Sequence, residues 1–252
     1  MVRRKLGQHF LIDRNVADRE IAYADISTND VVLEIGPGKG VLTYLLAEKA
    51  HHVIAVEIDP SLKEQLQPHL PNNVTLILGD ALQVDFRTLP PFTKIVANLP
   101  FAISSPITFQ LLSIPFSKAV MIYQKDFAER MVASPGSREY SRLSVHVYYK
   151  AQCRILEDIP RTCFSPPPKV DASIVEVIPR QTPAFQVPDE SFFLNLTREL
   201  FSHRRKKIKN TLEKSYHVED ISPYGECRVE TLTPEQICEL SFLLYNRIYH
   251  EK

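Results

Sequence analysis

The sequence has no excess of charge of either sign: Lys+Arg is 30, Asp+Glu is 30, and the formal net charge is zero. A chain that grips nucleic acid through global positive charge is thereby excluded, and any such affinity must come from local clustering. Cysteine is scarce. Cys153, Cys163, Cys227 and Cys238 form no C-x-x-C pair and have no histidine cluster beside them. That argues against a metal site and against a disulfide framework, and leaves reduced, partly buried thiols. No run of about 20 apolar residues, the length a membrane helix needs, is present. The basic start at Met1-Val-Arg-Arg-Lys-Leu6 is not followed by the apolar stretch of a signal peptide. The expectation is a cytoplasmic protein with no membrane association. There is no internal repeat and no low-complexity tract. What is present is ordinary for a globular protein: 44% hydrophobic and 24% charged residues over 252 positions. That length gives room for one medium domain and a small one.

The first half alternates two patterns. Apolar runs rich in β-branched residues occupy 31–35, 53–58, 74–78, 95–97 and 119–123. Continuous apolar runs of this length suit strands buried on both faces, as in a parallel sheet. Amphipathic stretches at 41–49, 62–70 and 106–114 lie between them, the last with Pro106 placed for a first helical turn. The succession βαβαβ predicts a doubly wound α/β sheet. Later the pattern changes: 143–149 and 173–178 read as an antiparallel pair of edge strands, joined through the stiff Phe164-Ser-Pro-Pro-Pro-Lys169. Residues 179–188 read as a proline-punctuated linker. Residues 191–212 and 234–249 read as helices. The expected division is a domain over 1–179 and a small helical domain over 180–252.

The most informative local signal is Val31-Val-Leu-Glu-Ile-Gly-Pro-Gly-Lys-Gly40, a buried strand running into three glycines and then a helix. Glycines there let the backbone turn tightly and approach a ligand closely, and the helix that follows offers unpaired N–H groups. Glu57 ends the second strand, where a carboxylate can accept from both hydroxyls of a ribose. Asp80 follows the third strand in Gly79-Asp80-Ala81, placed to receive an adenine amine, and Asn98 ends the fourth. In open α/β sheets the ligand lies outside these carboxyl ends. A dinucleotide fingerprint, G-x-G-x-x-G, would require glycine where Val41 stands. The observed G-x-G-x-G with Glu34 just before it fits S-adenosylmethionine, which has no pyrophosphate to cradle.

Asn98-Leu99-Pro100-Phe101 points to the chemistry. An aromatic amine is a poor nucleophile because its lone pair is delocalised into the ring. Two acceptors, the Asn98 side-chain carbonyl and the Leu99 backbone carbonyl, can bind its two protons and aim the lone pair at a methyl sulfonium. Phe101 can stack on an extruded base, worth roughly 1–3 kcal/mol, since adenine must leave its stack to reach such a pocket. Neither a metal nor a strong general base is required.

These residues resemble the small-subunit ribosomal RNA adenine N6-dimethyltransferases (the KsgA family), in a short, archaeal-like form. The resemblance runs through Leu6-Gly-Gln-His-Phe-Leu-Ile-Asp13, the Glu34 to Gly40 turn, Gly79-Asp80-Ala81, residues 98–105, Pro166-Pro-Pro-Lys-Val-Asp171 and Arg204-Arg-Lys206. It implies a Rossmann-like class I methyltransferase with a mixed, mostly parallel sheet and a helical, RNA-binding C-terminal domain. It also implies dimethylation of two adjacent adenosines near the 3′ end of small-subunit rRNA. The cofactor contacts it implies are His9, Leu11, Gly36, Gly38, Glu57, Asp80, Ala81 and Asn98. The family more often has Asn at position 9, Tyr at 101 and Asn at 102, where this chain has His9, Phe101 and Ala102.

His203-Arg-Arg-Lys-Lys-Ile-Lys209 has no interleaved acid. Arg204, Arg205, Lys206 and Lys207 are therefore the candidate phosphate contacts, with Lys169 and the arm of Arg3, Arg4 and Lys5 as weaker ones. Asp13 and Asp59-Pro60 read as helix caps and turns. The partner expected is small-subunit rRNA or the assembling small subunit, bound by a monomer. Three other functions stay open: a large-subunit rRNA adenine methyltransferase, a non-catalytic RNA-binding assembly factor on the same fold, and a DNA adenine methyltransferase. Intact Glu57, Asp80 and Asn98 oppose the assembly factor. The lack of a target-recognition domain opposes the DNA enzyme.

Overall fold

The computed structural model describes residues 8–216 and 221–249. The basic arm of Arg3, Arg4 and Lys5, and Leu6 and Gly7 of the N-terminal motif, lie outside the described residues. The chain divides into two compact units, one taking residues up to Ala128 with Gln152–Pro179, the other Glu129–Ala151 with residues from Arg180 onward. This corrects the continuous division at 179: residues 129–151 pack with the second unit.

The first unit is built on a seven-stranded sheet. Its chain begins with a two-residue strand β1 (Phe10–Leu11) and helix α1 (Arg14–Ala24), which Asp13 caps by accepting from the Asn15 and Val16 amides. Then follow β2 (Val31–Ile35), α2 (Val41–Lys49), β3 (His52–Glu57), α3 (Pro60–Leu66), β4 (Val74–Leu78), β5 (Lys94–Asn98), α4 (Ser104–Leu111) and β6 (Lys118–Gln124). Asp59 caps α3 ahead of Pro60, as the sequence predicts. The unit closes with β7 (Ala151–Ile159), β8 (Phe164–Ser165) and β9 (Ala172–Pro179). The strand order is β4-β3-β2-β5-β6-β9-β7. From β4 to β6 every pair is parallel, while β9 returns antiparallel to β6. Val32, Leu33, Glu34 and Ile35 of β2 are all buried, as are Ile95, Val96 and Ala97 of β5. This is the two-face burial that their unbroken apolar runs predict. A separate ladder joins β1 to β8 antiparallel, Phe10 opposite Ser165 and Leu11 opposite Phe164.

The second unit is helical. It holds α6 (Arg142–Lys150), α7 (Glu190–Ser202), α8 (Ile208–Tyr216) and α9 (Pro234–Tyr249); α5 (Lys125–Val132) crosses the division. Its core gathers Tyr140, Tyr149, Phe193, Leu196, Leu200, Ile237, Leu240 and Leu244. Thr233 and Gln236 cap α9 reciprocally, at 3.2 and 2.9 Å.

Three expectations are corrected here. Residues 143–149 are helical, not a strand. Their β-branched and aromatic content reads as strand, but Ser141 and Ser144 form a capping box and six residues of the helix are buried, so burial overrides propensity. The edge strand beside β9 is β7 instead. The single helix expected over 191–212 breaks at His203. There the Ile208 and Lys209 amides turn to the carbonyls of Cys227 and Gly225. The linker at 179–188 is tied to its unit: the amides of Arg180 and Ala184 donate to Lys150 and Tyr149, and Phe185 packs on Tyr149 and Phe193. All four cysteines are free.

Beneath the glycine turn, Glu20 of α1 and Glu34 of β2 are fully buried. Among the described residues, both carboxyl oxygens of Glu20 and one of Glu34 have no hydrogen-bond partner. Burial pushes Glu34 up to about 8, and pushes Glu20, which also faces Glu34, well above the ordinary 4.5. The fold keeps both protonated while the unfolded chain ionises. Their contribution to stability is therefore whole below about pH 4.5 and is lost as pH rises toward 8. Glu20→Leu removes an unpaired buried polar group, which costs about 1–3 kcal/mol. It should raise the melting temperature at pH 8 by roughly 2–10 °C and by less at pH 5. Melting curves at the two pH values check this; a lower melting temperature at pH 8 would contradict it.

Candidate active site

Because β2, β3, β4 and β5 run parallel, the four functional segments come out at one sheet edge. The order reverses between β2 and β5, which is where open α/β sheets hold their ligand. An open cleft of about 790 Å³, counting space continuous with solvent, lies there. It is lined by His9, Gly36, Gly38, Glu57, Asp80, Ala81, Asn98 and Pro100.

The glycine turn takes the conformations its glycines allow: φ is +73° at Gly36, +56° at Gly38 and +85° at Gly40. At Gly38 a side chain is also excluded by contact, since a Cβ would meet the Phe10 ring at 2.8 Å. Glu57 is 2% exposed and accepts the Gly38 amide at 3.1 Å and the Asp59 amide at 2.9 Å, one on each carboxyl oxygen. Burial raises its pKa above the ordinary value, against these backbone donors. Asp80 accepts the Leu82 amide at 2.9 Å through one oxygen, and the other has no partner among the described residues.

Asn98 donates its side-chain Nδ2 to the His9 carbonyl at 3.1 Å. Its Oδ1 has no partner among the described residues, and neither has the Leu99 carbonyl. His9 in turn bonds the Pro166 carbonyl through Nδ1 at 2.7 Å. The His9 ring lies 5.7 Å from that of Phe101, tilted by 36°. Phe101 also meets the buried Phe164 edge-on at 6.4 Å.

Three expected contacts, Leu11, Leu99 and Phe101, are not in the cleft lining. Leu11 is 4% exposed and part of the hydrophobic core of its unit. The Leu99 side chain is buried too, which leaves its backbone carbonyl as its functional group. Sequence reasoning missed the apolar walls of the cleft, Ile35, Val56, Ile58 and Ile103. Ile58 had a signal: a strand-like apolar run carried one residue past its terminal acid, and Ile58 is 41% exposed.

The basic run, in the second unit, is only partly free. Arg204 pairs with Glu230 at 2.9 Å and donates to the carbonyls of Arg138 and Tyr140 at 2.8 and 3.3 Å. Lys207 pairs with Glu226 at 2.6 Å, and Lys209 bonds the same carboxylate. Lys207, first, and then Lys209 hold that carboxyl down to about 2. Arg205 and Lys206 are exposed and make no ion pair among the described residues. With Arg138, Phe201 and His203 they line a shallow hollow. Lys169, in the first unit, is exposed, its carbonyl accepting from Arg161.

A Rossmann-like sheet with a glycine turn, the carboxylates of Glu57 and Asp80 and the amide of Asn98 at successive strand ends defines a class I S-adenosylmethionine-dependent methyltransferase. The sequence profile described as ribosomal RNA adenine dimethylase matches residues 1–247, and the chain belongs to that family. A relative from Methanothermobacter thermautotrophicus, named a probable ribosomal RNA small subunit methyltransferase A, is 45% identical over 95% of this chain and 90% of its own. A dimethyladenosine transferase from Plasmodium falciparum superposes with a TM-score of 0.78 at 31% identity, covering 95% of this chain and 98% of its own. The 23S rRNA methyltransferase ErmE does so with a TM-score of 0.68 at 28% identity, covering 94% and 99%.

If Glu57 takes the ribose hydroxyls, it must be ionised to accept both. Glu57→Gln should then weaken S-adenosylmethionine binding by about 1.5–3 kcal/mol, roughly 10- to 100-fold. In the unaltered protein affinity should fall on acidification, with a midpoint above 4.5 because burial raises this carboxyl. Calorimetric titration over a pH series checks both; an unchanged dissociation constant for Glu57→Gln would remove the ribose assignment.

Proposed function

We propose that this enzyme transfers methyl groups from S-adenosylmethionine to N6 of two adjacent adenosines near the 3′ end of small-subunit rRNA, during assembly of the small ribosomal subunit. One observation carries the chemistry. Asn98 lines the cleft with its amide fixed by its bond to His9, and its Oδ1 and the carbonyl of the next residue, Leu99, are two acceptors without a partner among the described residues. The small-subunit target rests on the name of the relative from Methanothermobacter thermautotrophicus. The likeness to ErmE supports the common fold rather than the large-subunit target, since its identity is the lower one.

The residues fit the cofactor. Gly36 and Gly38 would clear space for it, Glu57 and Asp80 would take its ribose and its adenine amine, and the isoleucines at 35, 58 and 103 would wall its apolar parts. Bound S-adenosylmethionine supplies an electrophilic methyl on a sulfonium. Asn98 Oδ1 and the Leu99 carbonyl accept the two N–H bonds of the target amine, which shifts its nitrogen toward sp³ geometry and withdraws the lone pair from conjugation with the ring. Phe101, braced by Phe164 and His9, offers its face to the flipped base. Catalysis then consists of alignment. The proton of the product ammonium leaves to water.

Arg205 and Lys206 supply phosphate contacts, with Lys169 and Lys207 secondary. Arg204 is reassigned to holding the second unit together, through Glu230 and two carbonyls. We place the enzyme in the cytoplasm, as a monomer beside its ribosomal substrate. Among the described residues no helix is long and apolar enough to cross a membrane.

The direct test is transfer from labelled S-adenosylmethionine to unmethylated small subunits, with nucleoside analysis. Dimethyladenosine at two neighbouring 3′-end positions is expected; label appearing only on large subunits would overturn the target. Asn98→Ala should lower the single-turnover rate at least 100-fold with cofactor affinity within about threefold, and an unchanged rate would end the acceptor mechanism. Arg205→Gln with Lys206→Gln should weaken RNA binding and lower the slope of log K against log salt by about two. Arg204→Gln should mainly lower the melting temperature. Equal salt slopes in the double variant and the parent would return this run to a solvated surface.

A further inference from the structure

His9 stands at a junction. Its backbone carbonyl takes the Nδ2 of Asn98 at 3.1 Å, and its ring Nδ1 meets the Pro166 carbonyl at 2.7 Å. A carbonyl only accepts, so Nδ1 must carry the proton in that bond. The same ring lies against Phe101. One residue thus touches the amide that accepts the target amine, the aromatic that receives the target base, and the triple-proline loop. The strand that follows it is fixed as well: Phe10 pairs with Ser165 and Leu11 with Phe164. Phe10 abuts Gly38, and the ammonium of Lys39 sits 5.4 Å from the centre of its ring.

A primary amide can present either end. Rotating the Asn98 amide by half a turn would place its N–H₂ where the target amine must find an acceptor. The His9 carbonyl selects against that, because two carbonyl oxygens would then face each other. We propose that His9 is a positioning residue for methyl transfer. Its Nδ1–H, anchored on the Pro166 carbonyl, fixes the His9 carbonyl, which orients the Asn98 amide with Oδ1 toward the target amine. The inference rests on the acceptor role of Asn98, and it assigns the His9 side chain to the loop rather than to the cofactor.

The link predicts a split between rate and affinity. His9→Phe keeps a ring against Phe101 and removes the donor. Its single-turnover transfer rate should fall about 10- to 100-fold at saturating cofactor. Its calorimetric dissociation constant for S-adenosylmethionine should stay within about threefold of the parent. His9→Asn places an amide nitrogen close to where Nδ1 sits and should recover the rate to within about threefold. If His9→Phe does not fold, His9→Leu takes its place with the same expectations. The proposal is overturned if the donor-free variant transfers at the parent rate, if His9→Asn is as slow as His9→Phe, or if the whole loss lies in cofactor affinity. Asn98→Ala, measured alongside, separates the two readings. If it stays active the acceptor mechanism itself has failed; if it is inactive while His9→Phe is normal, only the positioning role has.

Discussion

The site depends on one constraint, the parallel register of β2 against β3 on one side and β5 on the other. Val31 to Ile35 pair in step with His52 to Val56, and Val32 to Glu34 with Lys94 to Val96. That register brings the glycine turn, Glu57 and Asn98 out at the same edge. A shift by one residue would invert every side chain on these strands, burying Glu57 in the wrong layer and pointing Asn98 away from the cleft. Each of the three strands is buried on both faces and has no polar face to offer water, which seats them in the middle of the sheet. The chemistry at the edge is thus carried on strands whose side chains lie mostly in the core.

This explains what was legible in the sequence. The strands β2 to β6 could be read because buried parallel strands leave unbroken apolar runs, and the strand-end residues Glu57, Asp80 and Asn98 could be read because they interrupt or follow those runs. The stretch Leu143 to Tyr149 could not, because a helix buried over most of its surface shows the same apolar continuity as a strand, and its capping pair Ser141 and Ser144 is a weak signal. The break at His203 was hidden for another reason: its cause lies at Gly225 and Cys227, whose carbonyls take over the amides that a continuing helix would have used. Contacts between distant stretches leave no local trace.

The same limit applies to charge. The run from His203 to Lys209 has no acid within it, which argues for a free phosphate-binding surface. Glu226 and Glu230 are close in space, however, and take up Lys207, Lys209 and Arg204. Only Arg205 and Lys206 keep their charge exposed and unpaired among the described residues of that run. Paired cations still add to the local potential, but they release fewer counterions on binding, so the salt dependence is expected to count the free ones. The neighbouring Arg204 is more useful as a brace: its fork reaches one carboxylate and two carbonyls, a geometry suited to guanidinium.

Two methyl transfers to one nitrogen make a demand that the first transfer alone does not. In the proposed mechanism the unmodified amine has two N–H bonds for the two acceptors, Asn98 Oδ1 and the Leu99 carbonyl. After one methyl is added a single N–H remains, and one acceptor loses its partner. Hydrogen bonding then holds the amine less firmly just as it becomes bulkier. Orientation must come increasingly from the platform, Phe101 with Phe164 and His9 behind it, and from an acceptor that cannot turn over to offer a donor instead. A freely rotating amide would satisfy itself by rotating. An amide tied by Nδ2 to a backbone carbonyl cannot do so without breaking that bond, so the tie at His9 matters more for the second methyl than for the first.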